Sequence, residues 1–220
     1  MSEPSNPSPH YALALHTTTP ELGLALAPLN TITTQPQQIK TQVWDLGHSL
    51  STQLHLKLQT FIQPLTWSNI TLIAVARGPG GFTGTRVGVV TARTLAQQLN
   101  LPLYAVSSLA AIAHQTMRPA SEGVDIAVEM PARRGQVFAG IYAIEERTGS
   151  LVAKLPDTVI DQDAWDAARQ SWPTPCQHVR AEGGLGSTVS EVLAIALRQW
   201  HQGDRPHWSE ALPFYGQSPV

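Results

Sequence analysis

Apolar stretches separated by short polar segments divide the first part of the chain into strand-like and helix-like pieces. YALALH runs into three threonines and is followed by LGLALAPL, which is typical of paired β-strands, and a third β-prone piece lies near Thr31–Thr34. From Thr41 the apolar period changes to three and four residues, which predicts an amphipathic helix that Pro64 ends. The apolar positions of this predicted helix are Val43, Leu46, Leu50, Leu54, Leu58 and Ile62.

A second group of elements surrounds a glycine-rich segment. The fully apolar run Thr71–Ala76 predicts a strand that leads into ARGPGGFTGTRVG, after which a helical pattern continues to about Asn100. A further strand is predicted at Leu103–Val106. Ser107 is placed to cap a short helix that ends near Met117.

The remainder of the chain repeats the succession of strands first and helices later. MRPASEG looks like a linker, so we expect a loose tail over residues 1–10 and two subdomains over residues 11–118 and 119–220. The predicted strands are Val124–Glu129, Gly135–Ile144, Leu151–Lys154 and His178–Ala181, and the predicted helices are Gln162–Gln170 and Ser187–Gln202. This order suggests a duplicated α/β fold, although the residues themselves do not visibly repeat.

Composition narrows the classes of function. Charged residues make up only 14 % of the chain, and the formal net charge is −2. Proteins that bind nucleic acid by themselves rely on Lys and Arg, so the three lysines argue against autonomous binding. The chain shows no signal-peptide pattern and no long apolar segment, and its single cysteine, Cys176, fits a reducing compartment. We therefore expect a cytoplasmic protein without membrane contact.

The glycine-rich loop is the most specific local signal, and it has two interpretations. Glycines between a strand and a helix can bring backbone amides to a phosphate, but neither the Walker A spacing nor the G-x-G-x-x-G pattern is present. Alternatively, the glycines serve packing. Small residues recur every four positions, which lets another backbone come close, either a partner's helix or the chain's own domain. The residues of this small-residue ridge are Gly84, Gly88, Ala92 and Ala96.

Other candidate chemistry is weak. No two of the eight histidines have the spacing of a helical zinc site, so we expect no metal and reject a metalloprotease. His48 and His55 lie on one predicted helical face, which indicates a solvated or partner-facing stripe. Cys176 lies in a proline-rich context that favours an incidental thiol, and Arg133-Arg134 favour surface ion pairs over RNA contact.

The segment Ala76–Ala113 closely resembles the signature of the TsaB family, also called YeaZ-like. That signature has a GPGSFTG-type loop, a helix, a P-L-x-x-V-S-S-L strand and a short helix. The loop residues that carry the match are Gly78, Pro79, Gly80, Phe82, Thr83, Gly84, Arg86 and Gly88. Weaker matches are LALHTTTPELGLALA to the family's opening hairpin, PARRGQVFAGIY to a second hairpin and ALPFYG to the C-terminal segment.

The resemblance implies the duplicated actin-like fold, also described as RNase H-like or ASKHA, with two subdomains of mixed sheets flanked by helices. It also implies a non-catalytic dimerisation subunit, without a cofactor, for threonylcarbamoylation of adenosine 37 in ANN-decoding tRNAs. The implied partners are a TsaD-like transferase and a TsaE-like ATPase, with tRNA contacted only indirectly. A third hypothesis is that the chain forms a homodimer through the small-residue ridge when its partner is absent.

In this family the first-domain helices contact the partner. We therefore expect the interface to include Val43, Leu46, His48, Leu50, Gly84, Gly88, Ala92 and Ala96. The sequence departs from the family where His16-Thr17-Thr18 replaces Asp-Thr-Ser, where Pro131 replaces an Asp, and where Gly216-Gln217 follow Tyr215. Loss of the Asp weakens the alternative function, an actin-fold ATPase or phosphotransferase that uses the Gly78–Gly84 loop.

Overall fold

The first of two mixed β-sheets is built mainly from the N-terminal half of the chain. The computed structural model describes residues 10–29, 39–117 and 123–216. The sheet has the order β3-β2-β1-β4-β5, in which β1 to β3 form an antiparallel meander and β4 and β5 run parallel to β1. Its strands are β1 (Tyr11–His16), β2 (Glu21–Pro28), β3 (Lys40–Asp45), β4 (Ile70–Ala76) and β5 (Leu103–Val106).

The second sheet repeats this topology. Its order is β8-β7-β6-β9, with β6 to β8 antiparallel and β9 parallel to β6. The strands are β6 (Asp125–Pro131), β7 (Gln136–Glu145), β8 (Ser150–Asp161) and β9 (Cys176–Arg180). The helices are α1 (Leu50–Ile62), α2 (Phe82–Leu99), α3 (Ser108–Thr116), α4 (Gln162–Gln170) and α5 (Val189–His201). In both halves one helix precedes the fourth strand and another follows it, so the predicted duplicated actin-like α/β fold is confirmed.

The two faces of the first sheet are covered by different helices. Leu13 and Leu15 of β1 point towards α1 and α2, whereas Ala12 and Ala14 point towards α3 and α5. Although α5 comes late in the sequence, it packs on β1, β2 and β4. One apolar core therefore joins both sheets. The subdomain boundary predicted at residue 118 lies outside the described residues and stays a prediction.

The helix predicted from Thr41 is wrong over its first part. Residues Lys40–Asp45 form β3 and pair with β2, and α1 begins only at Leu50 after a short 3-10 turn. The backbone hydrogen bonds that β2 offers outweigh a three- and four-residue apolar period that is fortuitous before Leu50. The strand expected near Thr31–Thr34 and most of the tail over residues 1–10 lie outside the described residues.

Most other predicted elements agree with the structure to within a few residues. The cap of α3 is the clearest case, since Ser107 Oγ accepts hydrogen bonds from the N–H groups of Leu109 at 3.0 Å and Ala110 at 3.2 Å. Two predictions differ in length. The strand β8 is much longer than Leu151–Lys154, and the last helix starts at Val189, after a 3-10 turn over Leu185–Thr188. Across the described part of the chain, none of the helices has the length and apolarity needed to span a membrane.

Candidate functional site

A cleft of about 900 Å³ opens between the ends of the two sheets. One wall is the turn after β1 together with the glycine-rich loop and the start of α2, and the facing wall comes from the end of β6 and from β7. The C-terminal segment closes one side. The lining residues are Thr17–Pro20, Gly47, His48, Leu50, Ser51, Gly80–Gly84, Met130–Arg133, Phe138, Glu182, Gly183 and Tyr215.

The glycine-rich loop packs directly against the turn that follows β1. This turn contains Thr17, Thr18 and Thr19, and we call it the threonine turn. Gly81 N–H donates to the Thr18 carbonyl at 2.7 Å, and Thr17 Oγ1 donates to the Gly84 carbonyl at 2.8 Å. A Cβ atom at Gly80 or Gly84 would lie only 2.3 or 2.2 Å from a threonine carbonyl oxygen. These glycines are thus required for close approach of the chain to itself. The packing interpretation of the loop accounts for them without a phosphate.

Three residues of the small-residue ridge, Gly88, Ala92 and Ala96, are buried within the molecule and the fourth, Gly84, lines the cleft, which corrects the assignment of the ridge to a partner interface. A Cβ atom at Gly88 would lie 2.0 Å from Thr17 Oγ1, while Ala92 and Ala96 are fully buried in the core between α2 and the first sheet. Leu50 is buried in the same core. Of the two interpretations of the ridge, contact with the chain's own domain is therefore the one that the structure favours.

The remaining predicted interface residues do not form one surface. Val43 alternates with Trp44 and lies 3.1 Å from the Cβ position of Gly186, on the face of the sheet opposite α1. His48 lines the cleft, and Leu46 is half-buried against the α1 side of the core. The helical period predicts that Val43 and Leu50 lie on one face of a helix. Val43 instead lies in a strand, where successive side chains point to opposite faces of the sheet, so the two residues are separated.

The surface that α1 and α2 do expose was missed by the sequence reasoning. Its apolar residues are Leu56, 64 % exposed, and Val90, 54 % exposed, with Arg86 one turn before Val90. Both helices cover the same face of the first sheet and contact each other, so their solvent-facing sides form one surface. We call this surface the outer face. The available signal was that Leu56 and Val90 are large apolar residues out of phase with the buried stripe of their helix.

His16 stands at the end of β1, at the position where the resemblance described above implies an Asp. Its side chain is fully buried, and burial lowers its pKa to about 3, so the ring is neutral. Neither ring nitrogen has a hydrogen-bond partner in the described part of the chain. His16 shares the strand face of Ala12 and Ala14, and it does not line the cleft. It supplies no acid or base there.

The cleft has few groups for acid–base or metal chemistry. Among its described lining residues the ionisable side chains are His48, Arg133, Glu182 and Tyr215, so the lining contains one carboxylate. Phe82, the exposed first residue of α2, packs against Tyr215 with ring centroids 4.5 Å apart. No group of three His, Cys, Asp or Glu side chains within residues 10–29, 39–117 and 123–216 is placed to hold a metal ion.

Two buried polar clusters beside the core were not predicted from the sequence. The Tyr142 hydroxyl donates to Asp157 and lies 3.2 Å from Ser107 Oγ, and burial, with Asp157 adding to it, raises the Tyr142 pKa. This tyrosine therefore remains a hydrogen-bond donor that links β7, β8 and the start of α3. Because partners so distant in sequence meet only in the folded state, sequence spacing carried no signal for the cluster.

The second cluster surrounds Glu129, which is 1 % exposed. Its carboxylate accepts from Trp165 Nε1 at 2.5 Å and Arg180 Nη1 at 3.1 Å, and His178 Nε2 lies at 3.0 Å. These donors compensate the burial of the charge, so the cluster has a structural explanation. His178 and Arg180 belong to the edge strand β9, which begins at Cys176. Burial raises the pKa of the Cys176 thiol, which fits the predicted incidental cysteine.

Comparison with known proteins gives a consistent family. The family model described as TsaD, tRNA N6-adenosine threonylcarbamoyltransferase, matches residues 60–169. The tRNA threonylcarbamoyladenosine biosynthesis protein TsaB of Escherichia coli is 34 % identical over 70 % of this chain and 73 % of its own length. The Bacillus subtilis TsaB is 33 % identical over 70 % of this chain. This chain spans 63 % of the Bacillus protein and 62 % and 64 % of two Buchnera aphidicola TsaB proteins.

Solved structures agree on the fold. A Pseudomonas aeruginosa protein described as similar to peptidase YeaZ superimposes with a TM-score of 0.72, covering 94 % of this chain and all of that one at 20 % identity. A second structure, YeaZ from Pseudomonas aeruginosa, gives a TM-score of 0.68 at 22 % identity, covering 94 % of this chain and 99 % of that one. The sequence identity to the Escherichia coli protein and the shared fold together lead to one conclusion: the chain belongs to the TsaB (YeaZ) family.

Proposed function

We propose that this chain serves the formation of threonylcarbamoyladenosine in tRNA as a non-catalytic subunit. The observation that carries the proposal is its likeness to proteins named for this biosynthesis over most of their length. The chemistry of the cleft supports the non-catalytic part, since His16 is buried and neutral and the described lining offers Glu182 as its one carboxylate. A group-transfer site brings together a nucleophile, an acid or base and charge-stabilising groups, and the described lining of this cleft contains only four ionisable side chains.

The catalytic partner in this proposal is a TsaD-like transferase, and a TsaE-like ATPase joins the assembly. The match of half of this chain to the TsaD family model supports a pairing of two subunits with related folds. The tRNA is contacted only indirectly, and the location is cytoplasmic. The outer face is the surface proposed for the transferase, because exposed Leu56 and Val90 lie on adjacent helices there. Apolar residues on a shared surface are typical anchors of protein interfaces.

The tRNA pool of a depletion strain tests the function itself. Removing the chain should abolish threonylcarbamoyladenosine in the ANN-decoding tRNAs, measured by mass spectrometry of digested tRNA, and re-expression should restore it. Unchanged modification in the depleted strain would refute the proposed function.

Charged substitutions on the outer face test the pairing. Leu56→Glu and Val90→Glu should each reduce co-purification with the transferase at least about tenfold, because a carboxylate would be desolvated in the interface. Ile144→Glu is the matched control, since Ile144 is 41 % exposed in β7 of the second sheet. Far-ultraviolet circular dichroism should show all three variants folded. Normal binding by both outer-face variants would place the interface elsewhere.

One observation keeps an ATPase or phosphotransferase as the second candidate. The cleft of about 900 Å³ has room for a nucleotide and includes the first turn of α2, where backbone amides favour phosphate. Calorimetry with Mg-ATP on the isolated chain separates the candidates. Sub-millimolar binding accompanied by turnover would replace the non-catalytic proposal, whereas the proposal expects no turnover.

A further inference from the structure

The charges of the first half of the chain are unevenly distributed. Helices α1 and α2 together contain Lys57, Arg86 and Arg93 and no Asp or Glu. Between residues 10 and 117 the sequence contains only two carboxylates, Glu21 and Asp45. The outer face is therefore not merely poor in charge. It is built from helices whose side chains carry charge of one sign.

The carboxylate of Glu21 is held on the far side of the sheet. Glu21 Oε2 accepts from Gly186 N–H at 3.0 Å and from Thr19 Oγ1 at 3.0 Å. Gly186 belongs to the turn that precedes α5, and α5 covers the face of the sheet opposite α1 and α2. Glu21 consequently does not neutralise the outer face.

Two of the cations are held at opposite flanks of the helix pair. Lys57 Nζ lies 5.6 Å from the ring of Trp44 in the edge strand β3, and the Arg93 guanidinium lies 5.9 Å from the ring of Trp208. Trp208 belongs to a 3-10 turn that packs beside α2, on the β5 side of the sheet. These ring contacts fix the positive groups beside the apolar centre of the outer face.

The centre of the outer face contains Leu56, Val90 and the exposed Arg86. The other solvent-exposed positions along the two helices are nearly all uncharged and polar, and they include Thr52, Gln59, Thr60, Thr83, Thr94, Gln97 and Gln98. Among the described residues, the carboxylates beside the two helices lie at the borders, where Asp45 ends β3 and Glu210 lies in the turn beside α2. These groups are three cations and two border carboxylates, so the outer face carries an excess of positive charge.

We propose that the outer face selects a partner whose matching surface is apolar and acidic, and that it disfavours a second copy of this chain. This inference rests on the proposed function, because it concerns the surface assigned there to the transferase. In a symmetric homodimer the same patch meets itself, so Arg86 and its flanking cations face the cations of the other copy. Like charges across an interface oppose association, and opposite charges favour it.

Salt dependence of two associations tests the inference. With purified full-length chain and the transferase, raising salt from about 50 mM to about 500 mM should weaken the heterodimer roughly tenfold, because screening removes the attraction. Over the same range the homodimer, followed by sedimentation equilibrium, should keep its affinity or gain a few-fold. A heterodimer whose affinity is indifferent to salt, or a homodimer that salt weakens, would overturn the inference.

A charge reversal provides the second measurement. Arg86→Glu should lower affinity for the transferase at least about tenfold at low salt and flatten the salt dependence. An equimolar mixture of Arg86→Glu and unmodified chain should associate more strongly than either protein alone. Arg147→Glu is the control, because the Arg147 side chain is 83 % exposed in the second half of the chain.

The two proposals fail in different ways. If Leu56→Glu and Val90→Glu both leave transferase binding intact, the outer face is not the interface, and the proposed pairing surface fails together with the selection by charge. If Val90→Glu abolishes binding while Arg86→Glu and high salt do not weaken it, the pairing stands and the selection by charge is wrong.

Discussion

The residue with the most unusual environment is His16, whose neutral ring is sealed in the core. Its pKa is about 3 in the folded chain and about 6.5 when unfolded. Below pH 6.5 the unfolded chain therefore binds a proton that the folded chain rejects, and each further pH unit costs about 1.4 kcal/mol of stability until pH 3. Well above pH 6.5 the ring is neutral in both states, so His16 adds no pH dependence to the free energy of unfolding.

The prediction is that His16→Leu removes this part of the acid sensitivity. Between pH 7.5 and pH 5.0 the unmodified chain should lose about 2 kcal/mol more unfolding free energy than the variant, measured by urea denaturation at both values. Parallel losses in the two proteins would mean that His16 accepts a proton in the folded state.

Gly84 illustrates how the family motif acts through packing. Replacing it by Ala should destabilise the chain by about 1–3 kcal/mol, because the new Cβ would lie 2.2 Å from the Thr17 carbonyl oxygen and the backbone must shift. Gly81→Ala is the matched control, since its Cβ would lie 3.6 Å from the Thr18 carbonyl oxygen. Thermal unfolding of both variants measures the difference, and equal midpoints would contradict the packing role.

At the scale of the element, the start of α3 depends on one hydroxyl. Ser107→Ala removes the acceptor for two backbone N–H groups of α3 and should cost about 1 kcal/mol. Ser49 offers the comparison, because it occupies the same capping position of α1 without a side-chain hydrogen bond, so Ser49→Ala should cost much less. Chemical denaturation distinguishes the two, and similar losses would show that the cap contributes little.

At the scale of the whole molecule, the C-terminal segment connects the two sheets beside the cleft. Phe214 N–H donates to the Arg77 carbonyl at 2.7 Å next to the glycine-rich loop, and the Cβ position of Gly216 lies 2.5 Å from Val159 in the second sheet. Between them Tyr215 packs on Phe82. The segment thus supports the loop from outside while the threonine turn supports it from within.

Tyr215→Ala should loosen the loop without unfolding the chain. Loss of an aromatic pair worth about 0.5–1.5 kcal/mol predicts hydrogen exchange several-fold faster, up to about tenfold, for the amides of Gly80–Phe82. Leu212→Ala is the control, as Leu212 is 59 % exposed in the same segment. Unchanged exchange in the tyrosine variant would indicate that the threonine turn alone holds the loop.

The sequence by itself determined the duplicated α/β order, the positions of β4, α2 and β5 to within a residue or two, the cap of α3 and the resemblance to the TsaB family. These features depend on neighbours close in the chain, so apolar period, glycine spacing and cap residues record them. Tertiary structure alone decided that Lys40–Asp45 is a strand, because β2 supplies its hydrogen bonds. It also decided which side of α2 is free: the threonine turn covers Gly84 and Gly88, the core covers Ala92 and Ala96, and Val90 is left to solvent. Contacts between residues far apart in sequence fix exposure, and the local pattern of α2 does not tell which of its sides the threonine turn covers.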